Sequence, residues 1–303
     1  MSNAGNRWAV VLAGGEGTRL RGLTFDDGGV PAPKQFCCLG GDRSLLTLAL
    51  ERAERLTGPD RILIVVANHH RRWWAPALRA YPRDNILVQS QSRGTAAGIL
   101  LALLHILRRD PDPTVAILPS DHFVEDEDVL EHAFSGAFDA VARHADSAVL
   151  LGIPPDQPDE GYGWIQSRSA QEEEANPVAF FVEKPPRQLA AELMRRGALW
   201  NSFMVVGGGR CLLDLFRLTQ ADLLQAFLQA GDGFDSEDVD RLYEKLPQRD
   251  FSRDVLERVP GRLRVLRVPS CGWTDLGTPA RLARWLSSYT VSQPEALAAA
   301  GGS

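Results

Sequence analysis

The segment VVLAGGEGTRL, residues 10–20, decides how the rest of the chain is read. Val10, Val11 and Leu12 are continuously apolar. Gly14, Gly15 and Gly17 follow, and Thr18 and Arg19 end the turn. A continuous apolar run of this length suits a strand buried on both faces. Glycine tolerates positive φ and close backbone approach, so glycines behind a strand can serve two ends. They turn the chain, or they let backbone N–H groups converge on an anion while Arg19 adds a fixed fork of donors. Two familiar phosphate loops are excluded. The dinucleotide fingerprint G-x-G-x-x-G would need glycine where Leu20 stands, and no Gly-Lys-Ser/Thr triplet follows.

Working outward, short apolar runs alternate with longer amphipathic ones. Strands are expected at WAVVLA, RILIVVA, NILVQ, TVAILP and SAVLLGI. Between them lie helices at SLLTLALERAERL, N-capped by Ser44, at TAAGILLALLHILRR, capped by Thr95, and at DVLEHAFSGAFDAVARHA. This alternation predicts a doubly wound, mostly parallel α/β sheet, Rossmann-like, with ligands beyond the carboxyl ends of its strands. The second half is less regular. GWIQSR, VAFFVEKP, SFMVVG and RLRVLRV read as strands, PRQLAAELMRRG and PARLARWLSSYT as helices, and residues 211–259 as a mostly helical insert with a mobile loop at GDGFDSED. One domain over residues 8–290 is expected, followed by a disordered tail at 291–303.

Composition narrows the function classes. The chain has 303 residues, 44% hydrophobic and 24% charged, which is ordinary for a globular protein. A formal net charge of −6 argues against a general nucleic-acid binder, though a local cationic cluster could still hold an anionic substrate. Cys37, Cys38, Cys211 and Cys271 form no Cys-x-x-Cys pair, so neither a zinc site nor a redox motif is indicated and a reduced, cytoplasmic setting is expected. The apolar stretch AAGILLALLHIL is too short to span a bilayer, and no signal peptide or membrane association is expected.

Five further stretches fall at the ends of expected strands, and each has a bland alternative. Lys34 in PAPKQF follows two prolines that stiffen its loop; otherwise it is a surface lysine. Asp121 in ILPSDHF is a turn residue, or an oxygen ligand at a parallel strand's carboxyl edge. Tyr162 in DEGYGWI sits between glycines that make a tight turn or admit a flat ring against bare backbone. Glu183 and Lys184 in FFVEKPP are a solvated pair, or they reach a hydroxyl and a phosphate where Pro185 ends the strand. Asp275 in GWTDLGT suits a helix cap as well as a ligand.

Taken together, LAGGEGTRL, PKQF, SRGTAAGI, LPSDH, GYGWI, VEKP, WNS and GWTDLG resemble, in order and flanking residues over roughly 8–286, the sugar-1-phosphate nucleotidyltransferases, nearest to their mannose-1-phosphate guanylyltransferase branch. The resemblance implies the nucleotide-diphospho-sugar transferase type of sheet. It also implies transfer of a nucleotidyl group from an NTP, GTP preferred, to a sugar-1-phosphate, mannose-1-phosphate preferred, with Mg²⁺ as cofactor. Gly14, Gly15, Gly17, Thr18 and Arg19 would hold the triphosphate, with Lys34 near the reacting phosphates. Asp121 and Asp275 would bind the metal. Leu12, Gln89, Gly94 and Thr95 would frame the nucleotide. Tyr162, Gly163, Glu183 and Asn201 would contact the sugar, and Lys184 its phosphate. Arg19, Lys34, Asp121, Lys184 and Asp275 are thereby the expected catalytic set. A homodimer is compatible with the sequence, and no counterpart of the bifunctional relatives' second domain is expected.

The chain departs from the guanylyltransferase pattern at four places. The loop after Arg19 reads LRGLTFDDGGVPA, longer and richer in Gly and Asp; Gln89 replaces a glutamate near the base; Gly94 replaces an asparagine; and Phe203 follows Asn201-Ser202 where the family has glycine. Competing readings are the same chemistry on another base or sugar, and a non-catalytic sugar-nucleotide-binding regulator.

Overall fold

The structure, a computed structural model, describes residues 6–17, 20, 22–26, 29–39, 42–169, 174–230 and 236–292. Strands β1 (Arg7–Ala13), β2 (Ile62–Ala67), β3 (Ile86–Gln89) and β4 (Thr114–Pro119) form a parallel half-sheet in the order β3-β2-β1-β4, the arrangement of a doubly wound nucleotide fold. Their connections carry α1 (Leu45–Thr57), α2 (Arg71–Ala77) and α3 (Thr95–Arg109). Helix α4 (Glu127–Arg143) leads to β5 (Ala148–Ile153), the hairpin β6 (Gly163–Ser167) and β7 (Asn176–Glu183), then α5 (Arg187–Arg195) and β8 (Leu199–Gly208). Helices α6 (Gly209–Thr219), α7 (Ala221–Gln229), α8 (Ser236–Lys245) and α9 (Phe251–Asp254) precede β9 (Leu263–Arg267) and α10 (Pro279–Ser292).

The nine-stranded order is β3-β2-β1-β4-β8-β5-β9-β7-β6. β8 enters antiparallel between β4 and β5, and β7 antiparallel beside β9, so seven of the nine strands run one way. The mostly parallel, doubly wound expectation holds, with β8 as an inserted reverse strand. β6 also pairs with β8, Trp164 opposite Trp200, which closes the last five strands on themselves.

Successive strand residues face opposite sides, and the two cores divide accordingly. Val10, Leu63, Val65 and Ile117 pack with α3 and the helical insert; Ala9, Val11, Ile64 and Leu118 pack with α1 and α4. The insert explains why α3 is apolar almost all round. Its residues from Ala96 to Leu104 are all buried because the sheet covers one side and Leu212, Phe216, Phe227 and Tyr243 cover the other.

Local chemistry agrees with most boundaries. Ser44 caps α1 by accepting a hydrogen bond from Thr47 N at 3.1 Å. Thr95 differs from expectation: it is the first residue of α3 and caps nothing there; its hydroxyl accepts from Phe251 N at 2.8 Å, tying α3 to the insert. Gly94 explains the change. Its φ is +81°, and a Cβ would overlap the Arg249 carbonyl, which accepts from Ala96 N. Helix α2 was not expected, since Pro76 and the doublet Trp73-Trp74 mask a helical period. Of the expected mobile loop, residues 231–235 lie outside the described residues and Ser236–Lys245 is helical; of the expected tail, α10 runs to Ser292 and 293–303 lie outside.

Candidate active site

Beyond the ends of β1 and β4 lies a cleft of about 290 Å³. Leu12, Gly15, Lys34, Thr95, Asp121, Tyr162, Gly163, Glu183, Lys184, Asn201 and Asp275 all line it. Expected site residues from all eight quoted motifs therefore meet in one place. Gly14, Gly17, Gln89 and Gly94 are not in its lining, and Thr18 and Arg19 lie outside the described residues.

One wall carries the carboxylates. Residues 121–123 and 274–275 run side by side, with Phe123 N donating to Thr274 O at 2.9 Å and Thr274 N donating to Phe123 O at 3.0 Å. Lys34 ties the two strings together: its Nζ lies 3.0 Å from Asp121 Oδ2 and donates to the Asp275 carbonyl. Burial opposes ionisation of both carboxyls, yet both are held below the ordinary range, Asp121 chiefly by Lys34, and Asp275 by His122 where that imidazole is protonated and by Arg281 and Lys34. Burial pushes His122 down to about 4, so it is neutral at pH 7 and the lysine and arginine supply the positive field there.

A hard divalent cation fits this donor set. Asp275 Oδ1 already accepts from Tyr162 Oη at 3.0 Å, Gly277 N at 3.0 Å and Arg281 Nη1 at 2.9 Å, while Oδ2 accepts only from Arg281 Nη1 at 2.7 Å among the described residues. One lone pair of Oδ2 is thus left for a ligand. Asp121 accepts from Lys34 through Oδ2, with the nearest His122 nitrogen 3.6 Å from Oδ1.

The opposite wall suits a polyol phosphate. Gly163 faces Glu183 across β6 and β7, and a Cβ there would stand 2.6 Å from Glu183 Oε2, so only glycine leaves the carboxylate its place. Glu183 Oε2 is buried without a hydrogen-bond partner among the described residues, and burial raises this carboxyl despite Lys184 Nζ at 3.0 Å. An orphaned buried acceptor fits a hydroxyl donor. β7 ends at Glu183, and Lys184 turns away in the left-handed region at φ 52° with its N–H donating to Tyr162 O at 3.2 Å. Ending the strand here brings two neighbours that would otherwise face opposite sides to the same cleft.

Phe203 is left-handed too, at φ 62°, a conformation that favours glycine over a bulky side chain. Asn201 Oδ1 accepts from Phe203 N at 3.1 Å, and Asn201 Nδ2 donates to Ser252 Oγ at 3.2 Å. The register between β5 and β8 slips at this point. Lys184, Phe203 and Leu276 are the three non-glycine residues with positive φ among the described residues, and all three lie on or beside the cleft. Strain of this kind persists only where surrounding structure enforces it.

Several contributors were not anticipated. Gln35 donates from Nε2 to Ala13 O at 3.2 Å and to Gly15 O at 2.8 Å, fixing the path of the glycine loop. Ser120 Oγ donates to Leu12 O at 2.7 Å, locking β1 to β4 at the cleft. Arg281 forks between Asp275 and Asp159 and lies 3.7 Å from the centre of the Tyr162 ring. Gln35 stands inside the quoted PKQF, but nothing in a single sequence pairs Arg281 with Asp159. The long loop is anchored at Asp26, whose Oδ2 accepts from Arg72 at 3.1 Å and from Trp73 Nε1 at 3.0 Å. Gln89 is buried behind Gly14, with Nε2 donating to Tyr243 Oη at 2.8 Å.

Fold and cleft together define a class of phosphate-handling α/β transferases, and the chain belongs to the nucleotidyl transferase family, whose model matches residues 8–291. It is 32% identical to the mannose-1-phosphate guanylyltransferase ManC of Salmonella typhimurium over 301 residues, 94% of this chain and 59% of that one. It is 31% identical to the mannose-1-phosphate guanylyltransferase of Escherichia coli, over 94% of this chain and 59% of that one. Among solved structures, the mannose-1-phosphate geranyltransferase of Thermus thermophilus superposes with a TM-score of 0.80 at 27% identity, covering 93% of this chain and 79% of that one. The chain spans 59% of the length of these two curated relatives. The resemblance read from the motifs is borne out. Among the described residues no helix is long and apolar enough to cross a membrane.

Proposed function

We propose that residues 8–290 form a catalytic domain that transfers a nucleotidyl group from an NTP to a sugar-1-phosphate, with GTP and mannose-1-phosphate as preferred substrates. The observation that carries this reading is the meeting of Lys34, Asp121 and Asp275 with Glu183 and Lys184 across one cleft. A phosphate oxygen of the sugar-1-phosphate attacks the α-phosphorus in line; the new P–O bond forms as the bond to the β-phosphate oxygen breaks, and pyrophosphate leaves. Both reactants are anions, so positioning and cationic stabilisation matter more than a general base. Lys34 faces the reacting phosphates. Lys184 holds the sugar phosphate while Glu183 and Asn201 orient the ring. Asp121 and Asp275 would hold a divalent cation, Mg²⁺ in this reading, which when bound spreads phosphate charge and aligns the reactants. The glycine loop with Thr18 and Arg19 receives the triphosphate, and the setting is cytoplasmic. A homodimer belongs to the same reading.

Pyrophosphate release measured for four NTPs against several sugar-1-phosphates, with Mg²⁺, tests the whole reading. No release from any pair would sink it in favour of a non-catalytic binder. Lys184→Ala should raise the KM for the sugar-1-phosphate by about 10- to 100-fold, the worth of one charge-assisted hydrogen bond, with NTP binding little changed. Equal weakening of both ligands in a titration would remove Lys184 from the sugar phosphate.

The base preference turns on Gln89. Its amide lies against the backbone of Gly14 and donates to the Tyr243 hydroxyl; in this reading it acts on the base from behind the glycine loop. An amide presents one donor and one acceptor group, whereas a carboxylate only accepts. GTP should be the best NTP with another used measurably, and Gln89→Glu should sharpen the preference for GTP. Unchanged NTP ratios in that variant would show that Gln89 does not reach the base.

A further inference from the structure

The glycine loop carries one ionisable side chain among its described residues that this chemistry does not employ. Glu16, between Gly15 and Gly17, lies 2.9 Å from His69 Nε2 through its Oε1. His69 and His70 follow β2 closely, and their rings are 4.0 Å apart. One ligand atom from each of Glu16, His69 and His70 lies within 4.8 Å of the other two, and no other trio of His, Cys, Asp or Glu converges in this way among the described residues.

The three groups differ in a useful respect. His70 is 1% exposed and is gripped edge-on by Phe36 and Trp73, each with ring centres 5.8 Å from its own. That imidazole is held in place before any ligand arrives. His69 and Glu16 are 45% and 35% exposed, and their side chains have room to adjust. Tetrahedral Zn²⁺ with bonds of about 2.0–2.2 Å sets its ligand atoms about 3.3 Å apart, so a triangle already within 4.8 Å must draw in, through the side chains of exposed His69 and half-buried Glu16. Two imidazoles and one carboxylate are the donors of a borderline transition ion. Mg²⁺ prefers oxygen and keeps its waters.

We infer that Glu16, His69 and His70 form a second metal site, separate from the carboxylate pair of the cleft, for a divalent ion of the Zn²⁺ or Co²⁺ class with its fourth position open to water. The ligands come from two segments, so the bound ion staples the glycine loop to the end of β2. The inference does not depend on the transferase reading.

The test titrates Co²⁺ into the full chain in saturating Mg²⁺, which occupies all-oxygen sites but competes poorly for imidazole. The readouts are the visible absorption of four-coordinate Co²⁺ and the stoichiometry, neither of which involves turnover. One Co²⁺ per chain is expected. His69→Ala and Glu16→Gln should each weaken binding by about tenfold or more, since removing a ligand costs no less than removing a group that merely orients one. His132→Ala, an exposed histidine on α4, should bind as the parent does. Absence of Co²⁺ binding in Mg²⁺, undiminished binding in both ligand variants, or equal loss in His132→Ala would overturn the site.

Discussion

Asp121→Asn and Asp275→Asn are each expected to lower kcat by about 10²-fold or more while the protein stays folded. Asparagine keeps the shape and one acceptor oxygen but removes the charge that a hard cation needs. A bound divalent cation in phosphoryl chemistry contributes several kcal/mol, and about 2.7 kcal/mol is a hundredfold in rate. The two positions should differ in detail. Asp121 faces the cleft with a side chain 36% exposed and one close partner, Lys34, at 3.0 Å, so its loss should fall almost wholly on turnover. Asp275 is embraced by Tyr162, Gly277 and Arg281, so its replacement should also cost some stability. Steady-state kinetics in Mg²⁺, with Mn²⁺ binding followed by EPR on the same folded samples, separates lost metal from lost structure. Full turnover in excess chelator, with any productive pair of substrates, would refute the role given to both carboxylates.

The reason one carboxylate on each wall was legible from sequence is positional. A buried strand announces itself by a continuous apolar run, and whatever polar residue ends that run is delivered to the rim of the sheet. Asp121, just past the end of β4, and Glu183, at the end of β7, are both of this kind. Asn201 and Gly163 were legible only through their flanking motifs, because β8 runs backwards through the sheet and β6 closes onto it, which no periodicity encodes. Gly94 and Phe203 show the opposite limit. Glycine at 94 reads as a substrate contact, but it is demanded by the Arg249 carbonyl of an insert far along the chain. Phe203 reads only as a departure from the family's glycine, yet its first consequence is a left-handed backbone held by the Asn201 side chain. Arg281 sits on an amphipathic helix where an arginine ordinarily faces water, and only the fold brings Asp159 and Asp275 to it.

Arg281→Ala is therefore expected to produce the largest loss of stability of any single change at the site. The guanidinium is 6% exposed and makes two forked pairs: Nε at 3.1 Å and Nη2 at 2.6 Å to the two oxygens of Asp159, and Nη1 at 2.9 and 2.7 Å to those of Asp275. It also covers the face of Tyr162 at 3.7 Å. Truncation leaves two carboxylates, 18% and 17% exposed, without their common counter-charge. Breaking a buried pair by removing one partner costs about 3–5 kcal/mol, a fall in Tm on the order of 10 °C for a chain of this size. Arg281→Lys should recover little, because one ammonium cannot serve two carboxylates with paired, planar donors. The decisive measurement is a double-mutant cycle. Asp159→Asn in the Arg281→Ala background removes one of the stranded charges, so the double variant should be more stable than Arg281→Ala alone, a non-additive result expected of groups in direct contact. Additive losses, or an Arg281→Ala protein that melts with the parent, would mean that the loop bearing Tyr162 and the turn bearing Asp275 are held together by packing, and that the arginine between them contributes no net attraction.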